Sequence, residues 1–229
     1  MRLPLLGLAA LVSFAAPAAA ATRTFTVTGF EKIRVEGPYR VKLVTGVSPF
    51  ASASGSATAL DAVSVEVQGR TLIVRRKSAK TNDGSSSGPV VISAGTHELT
   101  SAWLNGSGGL AIDAVKAQTF TLGVSGSGAA EVGKLSVDRL HVSISGSAAV
   151  ALGGAAEAAS FSVSGPSSLQ AVDLSTKAAK IIAQGASTVR LTATEAAEVT
   201  AKGLAIVELS GSPACTIRPT SSADVQGCR

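Results

Sequence analysis

The chain predicts an all-β fold, a right-handed parallel β-solenoid with coils of about 20 residues. Three observations carry that expectation: one glycine recurs at a near-constant period, apolar residues keep register with it, and within each period apolar residues alternate at the strand spacing of two. The glycines are Gly106, Gly126, Gly146, Gly165, Gly185 and Gly203, at steps of 20, 20, 19, 20 and 18 residues. Two residues before each of the first five stand Leu104, Val124, Ile144, Val163 and Ala183, and two before those Ala102, Leu122, Val142, Phe161 and Ile181. After the glycines come Leu110, Ala130, Val150, Leu169 and Val189, then Ile112, Val132, Leu152, Ala171 and Leu191. A β-sandwich also alternates, but it has no reason to hold a glycine and four apolar columns in step. One coil cannot bury its own apolar face, so a constant period implies stacking at about 4.8 Å per coil.

Taken in chain order, residues 1–21 read as a secretory signal peptide. Arg2 supplies a positive start, Leu3 to Phe14 an apolar stretch too short to span a bilayer, and Ala18 to Ala21 an A-x-A cleavage site after Ala20 or Ala21. No Cys follows that site, which argues against a lipid anchor. The expected location is therefore periplasmic, secreted or cell-surface, with no membrane span. The remainder, 22–229, is expected to form a single solenoid domain.

The solenoid template continues into the N-terminal part, where Gly37 has Ile33, Val35, Val41 and Leu43 at the expected offsets, and Val63 to Val74 reads as a strand pair turning at Gly69. The small, polar residues 46–58 and the stretch 76–89 read as loops, giving about nine or ten coils and an axis of about 45 Å. Arg75, Arg76, Lys77 and Lys80 form the only basic cluster, either a solvated loop or a docking site for an anionic envelope polymer. Without Arg2 the balance is 19 basic against 15 acidic residues, a net +4. For an exported chain without interleaved aromatics this excludes a nucleic-acid partner.

The C-terminal segment from Ala214 to Arg229 holds the chain's two cysteines, Cys215 and Cys228. In an oxidising compartment they are expected to pair and to cap the open end of the stack. Two Cys without neighbouring His or carboxylates cannot complete a tetrahedral metal shell, so no metal or other cofactor is expected.

Catalytic constellations are scarce. His97 and His141 are 44 residues apart, and alternation turns His141 outward. Ser125-Gly126-Ser127-Gly128 is a corner repeat rather than a nucleophile elbow. Asp113 and Asp173 lie three coils apart, about 14 Å, too far for glycosidase geometry. Glu131 has no acidic neighbour in the repeat, and Glu195 with Glu198 reads as a solvated connection. A non-catalytic binding module is favoured over a carbohydrate-active enzyme. Its candidate surface is the outward column Asn105, Ser125, Ser145, Ser164 and Gln184, beside Gly123, Ser143 and Ser162, with outward-facing Trp103 as a sugar-stacking candidate. The partner is an envelope or extracellular polysaccharide, or a surface protein.

Phe30-Glu-Lys-Ile33-Arg-Val35-Glu-Gly37-Pro-Tyr-Arg-Val41-Lys-Leu43, then Val65-Glu-Val67-Gln-Gly69-Arg-Thr-Leu72-Ile-Val74, then the Ser-Gly-Ser turns, resemble the putative auto-transporter adhesin "head GIN" domain family. The resemblance spans nearly all of the chain after the leader. It implies an exported bacterial domain of parallel β-helical coils and brings no catalytic residues with it. A self-sufficient autotransporter is not expected, because no set of lipid-facing barrel strands follows the coils.

Overall fold

The computed structural model describes residues 21–77, 88–220 and 222–229. The predicted leader up to residue 20, and Lys80 with most of its loop, lie outside the described residues. The chain opens with strands β1 (Ala21–Phe25), β2 (Lys32–Glu36), β3 (Arg40–Thr45) and β4 (Phe50–Gly55), then one short helix, α1 (Ala57–Asp61). A hairpin of β5 (Val63–Gln68) and β6 (Thr71–Arg76) leads to β7 (Val91–Thr96) and β8 (Ser101–Gly106). Five long strands follow: β9 (Gly109–Gly126), β10 (Ala129–Gly146), β11 (Ala149–Ser164), β12 (Ser168–Gly185) and β13 (Thr188–Gly203). The end is β14 (Ile206–Ser210), β15 (Ala214–Thr220) and β16 (Asp224–Gln226).

Each long strand is one coil, and its pairing breaks it into three segments. In β10 these are Ala129–Val132, Lys134–Val137 and Arg139–Gly146, each parallel to its counterpart in β9. The segments ending at the corner glycine form a first face, in the order β5, β6, β2, β8, then β9 to β13, then β15. Those that start after the glycine form a second face, ordered β1, β4, β7, β3, then β9 to β14, then β16. The middle segments make a narrow third face. The fold is thus a β-solenoid of about 6 turns with coils about 20 residues apart.

The predicted apolar columns are the core. Ile33, Ala102, Leu122, Val142, Phe161, Ile181 and Val199 lie rung on rung in register, all buried. Burying each of the larger ones stabilises the fold by roughly 1.5–3 kcal/mol, so the stack is held by repetition rather than by any single contact. The corner glycines have positive φ, from 123° at Gly106 to 77° at Gly203. At Gly146 (φ 99°) a Cβ would lie 2.4 Å from the Gly126 carbonyl oxygen, so the corner needs glycine for space as well as for its backbone angle.

Three expectations need correction. The stack has about 6 turns, not nine or ten, because much of the chain between β3 and β8 is spent on antiparallel elements rather than coils: β4 pairs antiparallel with β1 and β7, and β5 with β6. Residues 46–58 are not a loop either. β4 alternates, with Ala51 and Ala53 fully buried, and Ser56 caps α1 by accepting from the Ala59 N–H at 3.3 Å. Small residues pack this rung, and their size disguised a strand as a linker. Likewise Glu195 and Glu198 belong to β13 rather than a connection, and Glu198 meets Lys180 at 3.2 Å.

At the far end β15 lies parallel on β13 and β16 on β14. Cys215 in β15 and Cys228 just past β16 form a disulfide, and the Arg229 N–H donates to the Pro213 carbonyl at 3.1 Å. Among the described residues no helix is long and apolar enough to cross a membrane.

Candidate functional site

On the first face, alternation turns every second residue outward, and parallel register converts those residues into columns. Glu36, Asn105, Ser125, Ser145, Ser164, Gln184 and Lys202 form one continuous column. Its hydroxyls are ordered by their neighbours: Ser145 Oγ donates to Ser125 Oγ at 3.2 Å, and Ser164 Oγ to the Ile144 carbonyl at 3.3 Å. Asn105 and Ser125 are exposed, and Ser145 and Ser164 half-buried.

The neighbouring column runs Ile73, Arg34, Trp103, Gly123, Ser143, Ser162. Trp103 faces outward but does not stand free. Its indole lies over Gly123, where an added Cβ would sit 2.7 Å from the ring, and the Arg34 guanidinium is 5.9 Å from the ring centroid. Glycine at 123 makes room for the ring, and the cation–π contact with Arg34 helps to hold it there. It is a half-buried aromatic beside the Asn105 end of the hydroxyl column.

The basic candidates separate. Arg75 follows Val74, the rung partner of Val35, and so stands on the first face near the Glu36 end of the column, tied to Glu66 at 2.6 Å. Arg76 and Lys77 are exposed at the end of β6, where the Lys77 N–H donates to the Ala62 carbonyl at 2.9 Å. Tyr39 is buried in the adjacent corner, and that burial raises its phenol above the ordinary value, against a smaller opposing effect of Arg76. Charge is unevenly spread. Residues 22–112 hold 10 basic and 6 acidic side chains, whereas 113–229 hold 9 of each, so the whole net +4 belongs to the first coils and their insertions.

Carboxylates do come together at one place the sequence reading passed over. Asp138 and Glu157 sit on adjacent rungs, between the pairs Val137–Ala156 and Arg139–Ala158. They line a groove of about 850 Å³ on the third face with Lys116 and Lys177. Their spacing of 19 residues equals one coil, so the period itself was the available signal. Both are exposed, and Lys177 donates to Glu157 at 3.0 Å, which raises the Lys177 ammonium above its ordinary value. A glycosidase acid is a carboxyl enclosed by apolar groups, an enclosure this open groove lacks. Asp113 is structural: its carboxylate accepts from the Thr45 N–H at 3.0 Å and joins β3 to the corner of β9. No group of three or more potential metal ligands occurs among the described residues.

Residues 29–213 match the family described as "Putative auto-transporter adhesin, head GIN domain". The chain belongs to this family. Crystal structures of similar shape come from bacteria. A "putative adhesin" from Bacteroides fragilis superposes with a TM-score of 0.81 at 21% identity, covering 90% of this chain and 96% of that one. One from Parabacteroides merdae gives 0.70 at 19% identity over 90% and 96%. A "putative lipid binding protein" from Parabacteroides distasonis gives 0.69 at 21% identity, again over 90% and 96%. No curated protein matches the chain. At these identities the likeness to solved structures shows the fold alone, while membership in the head GIN family supports an adhesion-like surface module.

Proposed function

We propose that the chain is an exported, non-catalytic binding module that holds an extended, uncharged glycan along the first face. The observation that carries this reading is the rung-by-rung column Asn105, Ser125, Ser145 and Ser164, which meets an aromatic platform at Trp103. Hydroxyl and amide groups repeated at about 4.8 Å can satisfy successive sugar hydroxyls, and an indole pinned by Arg34 offers a flat apolar face at little ordering cost.

Binding to an array of envelope and plant polysaccharides tests the proposal. Saturable binding weakened at least tenfold by Trp103→Ala, and abolished by Ser125→Arg with Ser145→Arg, supports it. Absence of binding to any glycan, or binding indifferent to all three changes, overturns it. Hydrolysis of a bound glycan that Asp138→Asn abolishes would replace it with an enzyme acting at the third-face groove.

A further inference from the structure

The second face carries a different surface. Its two outward columns run Arg40, Gly109, Ala129, Ala149, Ser168 and Lys42, Ala111, Glu131, Ala151, Gln170. They line a groove of about 370 Å³ that spans four strand steps, about 19 Å along the stack. Between its ends the floor, Glu131 apart, is methyl groups and glycine backbone, and that backbone is engaged in the parallel ladders. A sugar laid on the methyl groups would lose water from its hydroxyls without replacement, which is unfavourable for each one; an alkyl chain has no hydroxyl to strip.

The ends differ in character. Arg40 and Lys42 stand side by side at one end, and neither has a carboxylate partner among the described residues. They belong to the region that holds the whole net positive charge of residues 22–229. Glu131 stands on the floor two rungs beyond Lys42, about 10 Å away, so a polyanion running the length of the groove would be repelled. The other end offers only Ser168 and Gln170. An occupant must therefore carry its negative charge at one end and an uncharged apolar body behind it.

We propose that this groove binds a single-chain anionic amphiphile of the fatty-acid type, its head between Arg40 and Lys42 and its chain along the alanine floor. The inference does not rest on the glycan reading, which concerns another face.

Calorimetric titration of the purified chain with dodecanoate below its micelle concentration tests it. Dodecyl maltoside (the same chain with a neutral head) and acetate (the head alone) serve as controls. Saturable one-to-one binding of dodecanoate is expected, at least tenfold tighter than dodecyl maltoside and not displaced by acetate. Arg40→Gln with Lys42→Gln removes the head contacts, and Ala149→Arg obstructs the floor; each weakens binding at least tenfold, while Trp103→Ala leaves it unchanged. Thermal unfolding verifies that each variant folds, and Ala151→Gln replaces Ala149→Arg if that one does not. The proposal is overturned if dodecanoate fails to saturate, if acetate displaces it, if dodecyl maltoside binds as tightly, or if the floor variant binds normally.

Discussion

The stack from Gly109 to Gly203 and the region before it, from Ala21 to Gly106, share the same rung geometry and differ in everything laid upon it. In the stack every coil repeats its predecessor, charges balance, and corner glycines press on one another. In the earlier region two coil segments are kept, at β2–β3 and at β8, and the chain between them builds antiparallel strands and a helix. There the net charge collects, and there Arg34, Arg40, Lys42 and Arg75 stand. Repetition supplies a scaffold, and departures from it supply chemistry. This is the division of labour expected when binding groups sit on irregular segments that a rigid frame positions.

Breaking the corner should separate the two regions most sharply. Gly146→Val places a branched side chain at positive φ against the Gly126 carbonyl, and a loss of more than about 4 kcal/mol is expected because neither backbone can move aside. Chemical denaturation will read it as loss of the cooperative transition. Gly69 also has positive φ, 62°, but a Cβ there meets nothing within 4 Å. Gly69→Ala should cost only about 1 kcal/mol, the intrinsic penalty of the left-handed conformation. If both changes cost the same, close approach between coils is not what selects glycine in the stack.

The C-terminal end gives an effect of middle size. The Cys215–Cys228 disulfide, with a sequence separation of 13, joins β15 to the tail beyond β16, whose own strand is three residues long. Cys215→Ser with Cys228→Ser should cost about 3 kcal/mol by loop closure and expose the edges of β13 and β14 to self-association. Light scattering and unfolding of the double variant check both. Unchanged solubility and stability would mean that the tail does not act as a cap.

The smallest effect is electrostatic and touches both regions. Arg23 holds Asp61 at 2.5 Å in the N-terminal part, and Arg190 holds Glu208 at 2.6 Å between β13 and β14. Each arginine, through its hydrogen bond first, keeps the carboxyl below its ordinary range. A carboxyl depressed in the folded state contributes stability above its unfolded pKa, and that contribution is lost as pH falls through the folded value. Both pairs are exposed and screened by salt. The denaturation midpoint should therefore fall slightly on acidification, and less so in Glu208→Gln or at high salt.

The stack was legible because its signal is additive: five copies of one pattern outweigh the degeneracy of each. Ala51 and Ala53 were not legible as core, since alanine is as common in linkers as in tight rungs and β4 has no second copy. The pairing of Asp138 with Glu157, and of Trp103 with Gly123, follows from the same period applied to outward residues. What the period cannot give is contact between unlike elements. Arg34 reaches Trp103 only because β2 lies on β8, with rung partners 69 residues apart in the chain, across an insertion that no repeat predicts.

The glycine column also constrains how such a molecule can change in length. Each corner is built on the backbone of the corner beneath it, so the stack accepts or releases chain only in whole units of one turn. Removing the segment from Ala129 to Ser147 with its closing residue would set β9 directly on β11 and bring the charged end one strand spacing nearer the disulfide-closed end. The number of turns therefore acts as a molecular ruler, adjustable by duplication or deletion of a single unit, while the chemistry at either end stays as it was.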